Sequence, residues 1–284
     1  ANISLPGSKS LTNRELVLSA LANKPSTLKS LLISRDSTLM IEALRKLGTE
    51  IEVSGTTAIV NPKPLSGPAQ IDCGLAGTVM RFVPALAALA SGQIDFDGDL
   101  AARRRPMKTT TDSLRALGVS VTGESLPFSI QGNGQVDGGT IEIDASASSQ
   151  FVSGLLLVGA RFRNGLKINH AGQHLPSMPH IEMTIDCLKK RGVQASQTGS
   201  ASWEVLPSEI AGGEIVIEPD LSNAGPFLAA AMVAGGSVKI HNWPKKTTQV
   251  GNDFDGILQK MGAKIERVDN ALVLSGSGSI NGID

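Results

Sequence analysis

Four stretches of this chain close a helix in the same manner: LRKLGTEIE (44–52), LRALGVSVT (114–122), LKKRGVQAS (188–196) and LQKMGAKIE (258–266). Each reads as the end of an amphipathic helix, a glycine, and then an alternating strand. The glycines Gly48, Gly118, Gly192 and Gly262 stand 70, 74 and 70 residues apart. Glycine just past a helix end supplies the left-handed conformation that stops the helix. A second set of positions keeps the same beat. Ser10, Thr78, Ser149 and Ser222 mark small-polar helix starts ahead of apolar helices, spaced by 68, 71 and 73 residues. After each comes a short strand (TLKSLLI, QIDFDG, LKINHA, SVKIHN), a second helix, and a hairpin such as TEIEVSGTTAIVNP or AKIERVDNALVLSG. The unit is helix, strand, helix, strand, strand, with a further strand leading into the first helix. A unit of this size cannot bury both faces of its own sheet, so the units must pack on one another.

The expected fold class is therefore α/β, built from repeated units. The chain supplies four of them. In EPDLSNAGP (218–226), Pro and Asp interrupt the strand ahead of the fourth helix start, which reads as a boundary. The expectation is a three-unit domain over 8–218, with 1–7 and 219–284 forming an incomplete second domain. Residues 1–7 are expected to form a short strand that pairs within that second domain.

Composition narrows the function. Lys and Arg together equal Asp and Glu, 26 against 26, so no global field recruits nucleic acid or a membrane surface and any anion binding must be local. Aromatic residues are 3% of the chain with no Tyr, which removes the stacking platforms of single-strand binders. The most apolar run, FLAAAMVAGG from Phe227, is too short to span a bilayer. Cys73 and Cys187 are far apart and in no metal-ligand spacing, so two reduced, buried thiols in a cytoplasmic protein are expected, with no metal and no cofactor.

The chemistry-bearing residues cluster at the helix starts. PGSKSLTNR puts Lys9, Ser10 and Arg14 there; alone it reads equally as a capped surface helix, and it lacks the Walker A spacing. GLAGTVMRF offers Gly77 for close backbone approach to a ligand, with Arg81 one turn on. In ARRRPMK, with Arg105 before Pro106, a basic run opposes the dipole of the helix it opens unless an anion compensates; Pro106 is expected at the first helical position. SASSQF supplies Ser148, Ser149 and Gln150, either as plain caps or as neutral donors to phosphate oxygens. HLPSMPH places Ser177 and His180 at the equivalent second-helix start; no carboxylate or Cys stands at ligand spacing from its histidines. A helix N-terminus carries unpaired N–H groups and about half a positive charge. Three units packed about a common axis would aim three such termini at one region, an anion site with Lys9 and Arg14 at its edge.

These motifs, LPGSKSLTNR, GLAGTVMRF, RRRPM, SASSQF and PSMPHIEMT, in this order and on this repeat, closely resemble the 5-enolpyruvylshikimate-3-phosphate synthase (3-phosphoshikimate 1-carboxyvinyltransferase) family over essentially the whole chain. The resemblance implies βαβαββ units around a pseudo-threefold axis, two similar domains of three units each, and an active site between them. It implies transfer of the enolpyruvyl group of phosphoenolpyruvate to the 5-hydroxyl of shikimate 3-phosphate, releasing phosphate. By the family's pattern Lys9 contacts both substrates near the reacting hydroxyl, and Ser10 and Arg14 hold shikimate 3-phosphate. Ser148, Ser149 and Ser177 take its 3-phosphate, Gln150 lies between the substrates, and Gly77 and Arg105 bind phosphoenolpyruvate. Arg81 and His180 support them. Two positions depart from the pattern: Leu75 stands where many members have Asn, and His180 where many have Tyr. The family needs six units and this chain supplies four, so a partial chain with little activity of its own is expected, a monomer at full length. Two alternatives stand beside this reading. One is the related transferase acting on UDP-N-acetylglucosamine, disfavoured because GDLAARRRPM lacks that family's loop Cys. The other is a non-catalytic, anion-binding relative.

Overall fold

The computed structural model describes residues 1–283. The chain opens with β1 (Asn2–Ile3), followed by α1 (Lys9–Ala20), β2 (Ser26–Lys29), α2 (Arg35–Lys46) and the hairpin of β3 (Glu50–Ser54) and β4 (Thr57–Asn61). The next unit is β5 (Ala69–Asp72), α3 (Gly77–Ala87), β6 (Ser91–Asp97), α4 (Lys108–Ala116), β7 (Ser120–Thr122) and β8 (Phe128–Asn133). The third is β9 (Gly139–Ile143), α5 (Gln150–Gly159), β10 (Leu166–His170), α6 (Met178–Lys190), β11 (Ala195–Gly199) and β12 (Ser202–Val205). Then come β13 (Glu214–Val216), α7 (Gly225–Ala234), β14 (Ser237–His241), α8 (Phe254–Lys260), β15 (Lys264–Val268) and β16 (Ala271–Ser275). The four repeat glycines do what their spacing implies: Gly48, Gly118, Gly192 and Gly262 take φ of 102°, 82°, 80° and 104° immediately after the helix ends, a region that L side chains rarely adopt.

Each unit makes one four-stranded sheet, and the strand order is the same in all four: β5-β6-β8-β7, β9-β10-β12-β11, β13-β2-β4-β3 and β1-β14-β16-β15. The leading strand pairs in parallel with the strand that follows the first helix. The hairpin pairs antiparallel. The first sheet takes its leading strand from far along the chain, with Glu214, Ile215 and Val216 opposite Thr27, Leu28 and Lys29. β1, which precedes the first unit in sequence, instead pairs with β14, Asn2 opposite Lys239 and Ile3 opposite Ile240. The pairing of residues 1–7 with the later strands is the one expected from the sequence; the return of β13 to the first sheet is not, because a short strand can satisfy any open edge.

The helices divide into two kinds. Thr78–Ala87 of α3 and Phe151–Gly159 of α5 are buried throughout, as is α1 from Leu11 onward. The three pack on one another at the centre of the first three units. Contact between α3 and α5 is backbone-close: a Cβ at Gly154 would lie 2.2 Å from the Arg81 carbonyl oxygen. By contrast α2, α4 and α6 bury one face each, as amphipathic sequences dictate. Pro106 is not at a helical N1 position. Ala102 and Arg103 both donate to the Asp99 carbonyl, which winds Ala102–Arg104 into a 3₁₀ turn, and α4 begins two residues after the proline with Met107 as N-cap.

Two apolar clusters result. One is built from residues between Leu11 and Ile217; the other runs from Leu221 to Leu274 and gathers Ile3 and Leu5. The backbone passes between them twice, side by side: Ser8 N–H donates to the Glu218 carbonyl and Asp220 N–H to the Pro6 carbonyl, both at 2.8 Å. α7 is apolar on every face yet buries only Leu228 and Met232, leaving Phe227 and Val233 exposed. Cys73 and Cys187 are free and buried. Among the described residues, no helix is long and apolar enough to cross a membrane.

Candidate functional site

The first turns of α1, α3 and α5 are stitched together by side chains. Asn13 Nδ2 donates to Thr78 Oγ1 at 2.7 Å, joining α1 to α3. Arg81 Nη1 donates to Gln150 Oε1 at 2.7 Å, joining α3 to α5, and Arg14 Nη2 reaches Ser153 Oγ at 3.4 Å, joining α1 to α5. The N-terminal ends of the three buried helices therefore lie together. Their N-cap residues, Ser8, Ala76 and Ser149, give no side-chain cap to the free amides, and none of the three has an acidic residue in its first turn. α2 shows the contrast, with Ser34 and Ser37 forming a reciprocal capping box and Asp36 in the first turn. The first amide of α1 is taken by Asp220 Oδ2 and that of α5 by Ser148 Oγ, whereas the start of α3 keeps its N–H groups and partial charge for another acceptor.

Around Gly77 three site residues converge. A Cβ there would stand 3.1 Å from both Arg81 Nη1 and Gln150 Oε1, and 3.4 Å from Arg105 Nη1. Arg105 donates to the Leu75 carbonyl at 3.0 Å. Arg81 is buried over the Phe151 ring, 5.1 Å from its centroid, and its Nε has no partner. Burial, then the charge of Arg105, lowers the Arg81 guanidinium to about 10, so it remains a cation at pH 7.

Lys9 and Ser10 lie on a cavity of about 480 Å³ between the two apolar clusters, which Ser34, His180, Asp220, Ser222, Asn223 and Gln249 also line. Lys9 is half-exposed, with Nζ 3.3 Å from Asp36 Oδ2; its backbone N–H donates to Asp220 Oδ2 at 3.3 Å. Burial and the nearby Arg14 charge hold His180 below the usual imidazole range, so it is neutral at pH 7. Arg14 is placed differently from the expectation that it presents its charge to a substrate. It is buried, and its guanidinium donates to Thr184 Oγ1, the Ser10 carbonyl, Ser153 Oγ and the His180 carbonyl. In that position it braces Ser10 and His180 from behind, because burial leaves its donors only protein acceptors.

The serines occupy the starts of α5 and α6 and are not on the wall of that cavity. Ser148 N–H closes a turn on the Ala145 carbonyl at 3.0 Å, and Ser148 Oγ accepts from Gln150 N–H at 3.2 Å. Ser149 is buried, whereas Ser177 is exposed. Ser177 holds φ 56° and ψ 50°, a left-handed conformation uncommon for a residue with a Cβ. Three residues that sequence reasoning passed over now belong to the site. Asp36 pairs with Lys9, Asp220 holds the α1 amide, and Asn13 ties α1 to α3. Asp36 and Asp220 resemble ordinary cap and turn residues in sequence, and Asn13 is one of several polar residues of α1, beside Thr12, Arg14, Glu15 and Ser19. Among the described residues, no group of three or more His, Cys, Asp or Glu is placed to hold a metal ion.

The family model for EPSP synthase (3-phosphoshikimate 1-carboxyvinyltransferase) matches residues 1–284. This chain belongs to the EPSP synthase family. The 3-phosphoshikimate 1-carboxyvinyltransferase of Tropheryma whipplei is 45% identical over 305 residues, covering 99% of this chain and 69% of its own length. That of Kocuria rhizophila is 49% identical over 296 residues, covering 99% and 66%. The solved EPSP synthase of Acinetobacter baumannii shares the fold, with a TM-score of 0.83 at 23% identity, over 100% of this chain and 66% of that one. The chain spans about two thirds of the length of these relatives. Family membership sets aside the UDP-N-acetylglucosamine transferase. In this EPSP synthase family member the Leu75 side chain points to solvent while its carbonyl anchors Arg105, so position 75 serves the site through its backbone.

Proposed function

We propose that this chain takes part in transferring the enolpyruvyl group of phosphoenolpyruvate to the 5-hydroxyl of shikimate 3-phosphate, and that it carries the face that seats the two anions. The observation that carries this reading is the gathering of three helix starts, that of α3 without a side-chain cap, with Lys9, Arg81 and Arg105 around them. Both substrates are multiply charged and must lie side by side. Fixed amides and guanidinium groups offset that repulsion without reorganising during the reaction. In this reading Ser148, Ser149 and Ser177 take the 3-phosphate. The Gly77 amide and Arg105 take phosphoenolpyruvate, Gln150 lies between the substrates, and Lys9 stands at the reacting hydroxyl with Ser10 beside it.

The chemistry is an addition followed by an elimination. The 5-oxygen bonds to C2 of phosphoenolpyruvate as its hydroxyl proton leaves and C3 gains a proton; then C3 loses a proton and the C2–O bond to phosphate breaks. Lys9 suits a proton-handling role at the hydroxyl, since its ammonium is half-exposed and, among the described residues, is paired with Asp36. The two side-by-side crossings at Gly7 and Pro219 support division into a domain of residues 8–218 and a second containing 1–7 and 219–284, with closure bringing the two together and expelling water. Two free, buried thiols agree with a cytoplasmic setting, and at full length we expect a monomer.

Calorimetric titration with shikimate 3-phosphate tests this. The chain should bind, and Lys9→Ala should weaken binding at least about tenfold, the value of one charge-assisted hydrogen bond. Its fold should be unchanged, because an exposed ion pair contributes about 0–1 kcal/mol. Equal affinity in the variant, or equal affinity for inorganic sulfate and shikimate 3-phosphate, would leave only a general anion binder.

A further inference from the structure

His170 ends β10 and lies under both serine-bearing loops. Its Nδ1 accepts a hydrogen bond from Ala145 N–H at 3.1 Å. The same Ala145 offers its carbonyl to Ser148 N–H at 3.0 Å, and Ser148 Oγ in turn accepts from Gln150 N–H. A continuous chain of bonds therefore runs from the imidazole through residue Ala145 to the start of α5. On the other side, the Ala171 amide donates to the Ile143 carbonyl at 3.0 Å. The following glycine is pressed against the same loop: a Cβ at Gly172 would lie 2.1 Å from Ser146 Oγ, 2.4 Å from Asp144 Oδ1 and 2.5 Å from His170 Cε1. The loop that leads to Ser177 is thus seated on the loop that carries Ser148 and Ser149, with the ring between them.

We propose that His170 is a positioning residue for the phosphate-binding serine turn, acting through Nδ1 as the acceptor of the Ala145 amide. An acceptor Nδ1 fixes the proton on Nε2, which is buried and has no partner. Without that acceptor the Ala145 N–H loses its partner and the 145–149 turn loses this tie to the end of β10. The charged group facing the ring is Asp144, at the end of β9, whose carboxylate is itself occupied by Ser146 N–H at 2.9 Å. Ser146 and Gly172 present neutral atoms, and His174, the titratable group of the 171–177 loop, is exposed to solvent. Of the equivalent strands, β2 and β6 end in Lys29 and Asp97, and β14 ends in His241.

The inference rests on the reading that Ser148 and Ser149 hold the 3-phosphate, and the test separates the two. In His170→Asn the amide oxygen replaces Nδ1 as the acceptor; in His170→Phe the space is filled and the acceptor removed. Shikimate 3-phosphate affinity and hydrogen exchange of the Ala145 amide are measured on all three proteins under one set of conditions. The Asn variant should bind as wild type does and keep the Ala145 amide protected, whereas the Phe variant should bind about tenfold more weakly, the value of one hydrogen bond, and lose that protection. A Phe variant that binds and protects Ala145 as wild type does, or an Asn variant as weak as the Phe variant, would overturn the proposal. If no variant binds the ligand, the functional reading fails, and Ala145 protection still decides whether the imidazole holds the turn.

Discussion

Gly77→Ala should separate binding from folding. The added methyl would approach Arg81 Nη1 and Gln150 Oε1 to 3.1 Å and Arg105 Nη1 to 3.4 Å. All three are tips of long side chains, so they can yield by a few tenths of an ångström without moving backbone. Gly77 opens α3 with ordinary negative φ, and alanine in a helix is favoured over glycine by roughly 0.5–1 kcal/mol. That gain offsets the crowding, so unfolding free energy should stay within about 1 kcal/mol of wild type, and Tm within about 2–4 °C. The loss falls on the 2.7 Å bond from Arg81 to Gln150 and on access to the α3 amides. A hydrogen bond to a charged group is worth about 1.5–3 kcal/mol, which converts to roughly 10- to 150-fold in affinity. Calorimetry with phosphoenolpyruvate in the presence of shikimate 3-phosphate reads the affinity, and thermal unfolding followed by circular dichroism reads the fold. Unchanged affinity would mean that Gly77 does not face the ligand. A large drop in Tm would mean that the three contacting side chains are locked rather than adaptable.

Arg191 and Glu15 form an ion pair almost wholly out of solvent, at 2.7 Å, with Arg191 also bonded to Ser19, Ser26 and the Ala211 carbonyl. Arg191→Leu should lower stability by about 3–5 kcal/mol in urea unfolding, since it leaves a buried carboxylate unpaired, and Glu15→Met combined with Arg191→Leu should recover much of that. His180 is held below its ordinary range by burial and then by Arg14, so the unfolded chain takes up its proton first as pH falls. Its contribution is present above about pH 6.5, the unfolded value, and is lost as pH drops through the folded value. The urea midpoint of wild type should therefore decline more steeply between about pH 7.5 and pH 5.5 than that of His180→Phe. On α7, Phe227→Glu with Val233→Lys should reduce binding of an apolar dye to this chain while leaving Tm nearly unchanged, because both side chains are exposed and only Leu228 and Met232 anchor the helix.

What the chain order alone carried was everything local and periodic. Helix-ending glycines, helix starts and hairpins are written in residues one to four apart, where backbone sterics and amphipathic period decide the outcome. Hence Gly48, Gly118, Gly192 and Gly262 were legible, as was the clustering of Lys9, Gly77, Ser148 and Ser177 at helix starts. Which of those starts meet, and which side chains turn inward, depended on packing between segments 65 to 170 residues apart. Arg14 reads as an available cation, but the close approach of α1, α5 and α6 surrounds it with Thr184, Ser153 and the Ser10 and His180 carbonyls. Similarly, β13 completes the first unit's sheet because an open edge is satisfied by whichever strand the tertiary path delivers, a choice no local pattern encodes. His170 is the plainest case: its function in the fold is a single hydrogen bond to Ala145, 25 residues away, visible only once two loops have been laid together.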